Sequence, residues 1–175
     1  MTHVTRPLDR RLFLIVVTGL VVVPQAFAAV PGVADAQKMG TARYSAFGLS
    51  IFDATLYAPG GTYKTDAPFA LRLDYLKSFG AARIVDNSVK EIRRQGFADE
   101  ARLAAWKRQM SAIFPDIRKG DHIVGVRDQG GNTAFYHNGK AIGSIKDAQF
   151  TRHFFNIWLG PNAPAAFRQK LLGGA

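Results

Sequence analysis

Asp53, Thr55 and Tyr57 stand two residues apart in the stretch IFDATLYAPGG, residues 51–61. Side chains alternate along a strand, so these three share one face while Phe52, Ala54 and Leu56 share the other. A carboxylate, a hydroxyl and a phenol in a row read either as a polar site or as the wet side of a half-buried sheet. Asp53 is expected to be solvated, or paired with an Arg or Lys of a neighbouring strand, before it is expected to be catalytic.

The other reactive residue types form no constellation. His3, His122, His137 and His153 lie far apart, and none has metal-ligand spacing to another. His122 and His137 fall on strands expected to be adjacent, where ordinary hydrogen-bonded histidines are expected rather than a zinc site. HExxH, GxSxG and phosphate-cradling glycine loops are absent. Asp99-Glu100 and Asp147 read as helix starts. No metal and no cofactor are expected.

The elements that must position these groups follow from periodicity. Residues 41–57 read as one or two strands hinged near Gly48, and FALRLDYL (69–76) as another with Phe69, Leu71, Leu73 and Tyr75 on one face. The period then changes. Ile84, Val85, Val89 and Ile92 make a helical stripe between Ala81 and Gln95, with Gly96 as stop. A second helix, from about Asp99 to Phe114, buries Leu103, Trp106, Met110 and Ile113 and ends at Pro115. Its other face carries Arg102, Lys107 and Arg108, which reads as a solvated face rather than a basic patch. Residues 120–145 form a strand meander with an Asn-Gly hairpin turn at HNGK. Asp147 caps a helix through Leu159, and Pro164 starts a short last helix ending at Gly173. The class is α+β: an antiparallel sheet with helices on one face.

Arg6, Arg10 and Arg11 precede the apolar run LFLIVVTGLVVV (12–23), and Ala26 and Ala28 flank Phe27. That order marks a secretory signal peptide, with cleavage expected after Ala28. RRLFL is similar to a twin-arginine signal, but Asp9 and Ile15 depart from it and the very apolar core favours the general secretory route. A single domain, residues 29–175, is expected to remain and to reside in the periplasm or outside the cell. Removing three arginines and one aspartate from the 23 basic and 13 acidic residues leaves 20 and 12, a net charge of +8. An exported basic protein rarely meets nucleic acid, so the charge points to anionic ligands, lipid headgroups or solubility. The chain has no cysteine, which excludes disulfides, thiolate chemistry and a lipidated N-terminal Cys. No stable membrane insertion is expected after cleavage, and the oligomeric state is not legible.

IFDATLYAPGG, ALRLDYLKSF, FPDIRKGDHI, FYHNGKAIGSI and FNIWLGPNAPAAFRQKLLG occur in this order across nearly all of residues 40–173. In order and spacing they resemble the chalcone isomerase-like family, particularly its exported bacterial branch. The resemblance implies an open-faced β-sandwich: a curved antiparallel sheet with helices packed on one face and an apolar cleft between. Plant members are intramolecular lyases that close a chalcone into a flavanone, and related non-catalytic members bind fatty acids. In both, an arginine near the first strands contacts the ligand's negative charge.

By that resemblance Arg43 in GTARY is the matching anchor, and a guanidinium suits it, because it can grip a carboxylate or phenolate with two parallel bonds. A surface arginine at a strand start is the equally weighted alternative. Phe52 and Ile157 stand where the enzyme has threonines that hold a phenolic substrate, which argues against catalysis. Tyr57 or Tyr75 would supply a second hydrogen bond. Asn87 is a candidate counterpart of the enzyme's asparagine but reads rather as a solvated helix residue. The expected function is a non-catalytic binding module for an amphipathic apolar acid such as a fatty acid. The alternatives are an isomerase in which Arg43 steadies an oxyanion, and a protein-interaction module using the basic helix face. Phe52, Trp106, Phe154 and Trp158 are the bulky groups available to fill the cleft.

Overall fold

The computed structural model describes residues 30–174; the signal-peptide reading of residues 1–28 lies outside them. Six strands form one antiparallel sheet in sequence order. They are β1 (Ala36–Ala46), β2 (Leu49–Pro59), β3 (Phe69–Tyr75), β4 (His122–Arg127), β5 (Thr133–His137) and β6 (Lys140–Ile145). Helices α1 (Ala81–Arg94) and α2 (Glu100–Ile113) are inserted between β3 and β4, and α3 (Ala148–Leu159) and α4 (Ala165–Leu171) follow β6. This is the expected α+β architecture, with boundaries close to those read from periodicity.

Local chemistry accounts for the helix ends. The Asp99 side chain accepts the Arg102 N–H, and the Asp147 side chain accepts those of Gln149 and Phe150, so each carboxylate satisfies free donors of a first turn. Arg93 and Arg94 sit in the last turn of α1, where they complement the helix dipole.

Strand alternation divides the sheet into two unlike faces. Register pairs Tyr44 with Phe52, Phe52 with Tyr75, Leu56 with Leu71 and Leu71 with Gly125. This face carries the main core, together with Val85, Val89 and Ile92 of α1, Trp106 of α2 and Phe150, Phe154 and Phe155 of α3. The opposite face pairs Arg43 with Asp53, Asp53 with Asp74 and Asp74 with His122. Only a small apolar cluster lies there, in which Val33 of the segment before β1 packs with Ala70, Val124 and Val126. The sheet is thus dry on its helical side and largely polar on the other, the open-faced arrangement anticipated above.

Helix α4 closes the β1 edge. Its approach depends on Gly40, which lies at a register shift in β1. A Cβ there would overlap the Lys170 carbonyl oxygen and lie 2.9 Å from that of Leu171. With α4 seated, Phe167 meets Tyr44 edge-on at 6.1 Å and Phe52 at 6.4 Å.

The basic face of α2 is not a free patch. Lys107 pairs with Asp86 at 2.8 Å, and Arg102 bonds Gln149 and approaches Asp99. Asn87 is exposed on α1, as expected of a solvated helix residue.

Candidate functional site

The polar row that opened the sequence reading is structural. Arg43 donates Nε to Asp53 Oδ1 and Nη2 to Oδ2, both at 2.7 Å. The guanidinium holds the Asp53 carboxyl below its usual range, mainly through that hydrogen bond. Asp74, opposite Asp53, is gripped in the same way by Arg72, with bonds of 2.6 to 3.0 Å. Two facing carboxylates would repel, and an arginine for each removes that cost. Thr41 and Thr55 share a hydrogen bond at 3.0 Å, and Tyr57 packs beside the small apolar cluster.

This geometry corrects two site expectations. Arg43 and Tyr57 lie on the polar face, whereas Phe52 and Tyr75 face the helices. The reason is strand alternation: Arg43 is paired with Asp53, one residue from Phe52 and therefore across the sheet. Arg43 thus holds Asp53 instead of pointing into a cleft. The structure does bring Phe52 and Tyr75 together, with ring centroids 6.0 Å apart. Ile157, partly buried on α3, packs against the core, but its neighbour Trp158 provides the cleft wall.

The cleft lies between β3, β4, α1 and α3. It encloses about 40 Å³ and is lined by Leu73, Tyr75, Ile84, Ser88, Phe114, Ile117, Ile123, Phe154 and Trp158. That is room for about one water molecule, against roughly 300 Å³ for a typical small-ligand pocket. Aromatic packing keeps it closed: Phe154 meets Trp158 edge-on at 5.2 Å, and Tyr75 meets Phe79 at 6.1 Å. Two hydroxyl-bearing residues line this apolar space. Ser88 donates to the Ile84 carbonyl at 2.9 Å, a local bond within the helix. Burial pushes the Tyr75 phenol up, so it stays neutral, and no group among the described residues bonds its hydroxyl. Arg83 is the cation on this rim, with its guanidinium carbon 5.6 Å from the Phe79 ring centroid.

Of these lining residues, Tyr75, Phe154 and Trp158 were already singled out by sequence. Ser88 was missed, although it lies one turn beyond Ile84 on the same buried stripe and periodicity could have found it. Ile117 carried no signal. It reaches the cleft because the loop before β4 bonds both ways with Phe79 at 2.8 Å.

The histidines serve structure. His122 and His137 occupy neighbouring strands but opposite faces, because His137 is paired with Ile123. His153 Nδ1 bonds Gln95 at 3.0 Å, and burial pushes its pKa down. Among the described residues, no three His, Cys, Asp or Glu side chains converge as a metal site.

Asp121 ties the loop before β4 to the β5–β6 turn. Its carboxylate accepts the Arg118 N–H at 2.8 Å and the Asn138 amide at 2.9 Å, and lies 3.3 Å from His137 Nε2. The Arg118 bond, with that from Asn138, holds its pKa down at about 2. A depressed carboxylate contributes stability above its unfolded value near 4 and loses it as pH falls towards 2. Urea midpoints measured from pH 6 to pH 2 should therefore fall below pH 4, and Asp121→Asn should flatten that fall. An unchanged slope in the variant would show that Asp121 is not the group responsible.

The chain thus forms an open-faced antiparallel sheet with a small apolar cleft under its helices. The profile of the chalcone isomerase-like family matches residues 37–173, and the chain belongs to that family. An uncharacterized protein of Haemophilus influenzae is 28% identical over 151 residues, which span 84% of this chain and 72% of its own. Among solved structures, an Arabidopsis thaliana fatty-acid binding protein superposes with a TM-score of 0.64 at 15% identity. The match covers 82% of this chain and 91% of that one, and what it shows is the shared fold.

Proposed function

We propose that this protein is a non-catalytic binding module for an amphipathic apolar acid such as a fatty acid, held between the sheet and helices α1 and α3. The carrying observation is the enclosed apolar cavity whose Tyr75 hydroxyl has no partner among the described residues. A hydroxyl with no partner in the protein is free to bond a ligand oxygen. The fatty-acid binding of the Arabidopsis protein with the same fold supports the reading. Export to the periplasm or beyond, after cleavage near Ala28, is part of the proposal.

Cavity volume sets a condition on binding. An acyl chain needs several times 40 Å³, so Trp158 and Phe154 must turn aside and α1 must shift on α3. The acid group is assigned to the rim, where Tyr75 offers a hydroxyl and Arg83 a positive charge. An isomerase reading is disfavoured because Phe52, on the helical face, is apolar and Arg43 is committed to Asp53 on the far face.

Lipid extraction of the purified protein followed by mass spectrometry should find a co-purifying acid, and delipidated protein should take up a fluorescent fatty acid. Arg43→Ala should leave that affinity unchanged. Tyr75→Phe should weaken it by about 1 kcal/mol, and Ser88→Leu, which fills the cavity, should abolish uptake. A protein that neither carries nor takes up lipid would refute the proposal.

A further inference from the structure

The β1–β2 hairpin ends in a two-residue turn, Phe47-Gly48, with both residues at positive φ (51° and 75°). The first position of such a turn favours Asn, Asp or Gly, and a bulky aromatic in the left-handed region is strained. Phe47 is also fully exposed, and Leu49 is 55% exposed beside it. Backbone and solvent both disfavour phenylalanine here, and neither the core nor the cleft gains from it. An outlier with two local costs and no packing return invites a functional explanation.

The surroundings indicate the partner. Leu76 N–H bonds the Ile51 carbonyl at 2.9 Å, which sets Lys77 beside Ser50 at the root of the hairpin. Lys119 N–H bonds Ser78 Oγ at 3.0 Å, so Arg118 and Lys119 stand at the same end of the sheet. Lys77, Arg118 and Lys119 are exposed, and none has an ionic partner among the described residues. The acidic groups of that loop are already engaged: Asp116 accepts the Ala81 N–H, and Asp121 holds Arg118 N–H and Asn138 and faces His137. Exposed apolar side chains beside unneutralised cations suit the interface of an anionic bilayer, where the rings enter the headgroup layer and the cations meet phosphates.

We propose that the Phe47–Leu49 tip, with Lys77, Arg118 and Lys119, docks the protein on anionic phospholipid surfaces. An aromatic row runs inward from this end: Tyr44 stacks on Phe52 at 5.1 Å, and Phe52 meets Tyr75 at the cleft wall. Use of that row to pass lipid to the cleft rests on the binding function proposed above, but docking itself does not.

The test uses the full chain. It has no native cysteine, so a single Leu49→Cys can carry an environment-sensitive fluorophore. Vesicles of equal phosphatidylglycerol and phosphatidylcholine should shift its emission to the blue, and pure phosphatidylcholine should do so far less. The same label at Gln129→Cys, in the turn at the opposite end of the sheet, should stay unchanged. Phe47→Asn, which suits the turn and should raise the melting temperature, should cut the apparent vesicle affinity roughly tenfold. Lys77→Glu, Arg118→Glu and Lys119→Glu together should remove the preference for phosphatidylglycerol. A label at position 49 that ignores these vesicles, or responds no more than one at 129, overturns the proposal. A shift that grows with protein concentration without vesicles would overturn it too, assigning the tip to a second copy of the chain. Lipid uptake in the cleft is read separately, so either proposal can fail alone.

Discussion

Gly40→Val should detach α4 from the sheet. The Lys170 carbonyl occupies the place where a Cβ at position 40 would stand, and the Leu171 carbonyl is 2.9 Å from it. Neither is a flexible side-chain end that could swing aside; both belong to the helix backbone. The helix must therefore retreat, and Phe167 and Leu171 lose their buried seats. Overpacking of this kind costs about 3 kcal/mol, and more where backbone must move. A urea melt should show that loss, and limited proteolysis should cut first between α3 and α4. Wild-type stability in the variant would mean that α4 sits less tightly on β1 than the structure shows. The change also uncovers the sheet, because Phe167 covers Tyr44 and Phe52 there.

Trp106→Ala should be comparably damaging for a different reason. Trp106 is 1% exposed and stacks on Phe97 at 4.8 Å. It meets Phe150 edge-on at 5.7 Å and donates Nε1–H to Asp147 Oδ2 at 2.9 Å. Removing the indole leaves a cavity where α2 meets α3 and strips a donor from the carboxylate that caps α3. Loss of a buried aromatic of this size costs about 3–5 kcal/mol. Trp106→Phe keeps most of the packing and loses the hydrogen bond, so it should cost nearer to 1–2 kcal/mol. Equal losses in the two variants, measured by chemical denaturation, would assign the whole effect to the bond with Asp147.

The elements were legible because each rests on short-range chemistry. Asp99 and Asp147 cap their helices with their own side chains, and Asn138-Gly139 turns β5 into β6. Alternation in residues 69–75 marks the face that packs against helices, and the paired fate of Asp53 followed from its place on a wet face. The site was less legible. Arg43 looked like a ligand anchor because an arginine near the first strands matches the family, yet its side chain belongs to the opposite face. A one-residue difference in strand register decides that, and register depends on which residue of β1 meets which of β2. Ser88 and Ile117 reach the cleft only through the docking of α1 and the bridge from Phe79 to Ile117.

The sequence by itself determined the class, the order of elements, the dry and wet faces of β2 and β3, and membership of the family. Those are properties of periodicity, capping and turn chemistry, which act within a few residues. Tertiary structure alone decided that the cleft is nearly filled, that Tyr75 reaches it without a partner, and that Phe47 stands fully in solvent beside three unneutralised cations. Such facts depend on how side chains far apart in the chain share space, and packing of that kind has no local signature.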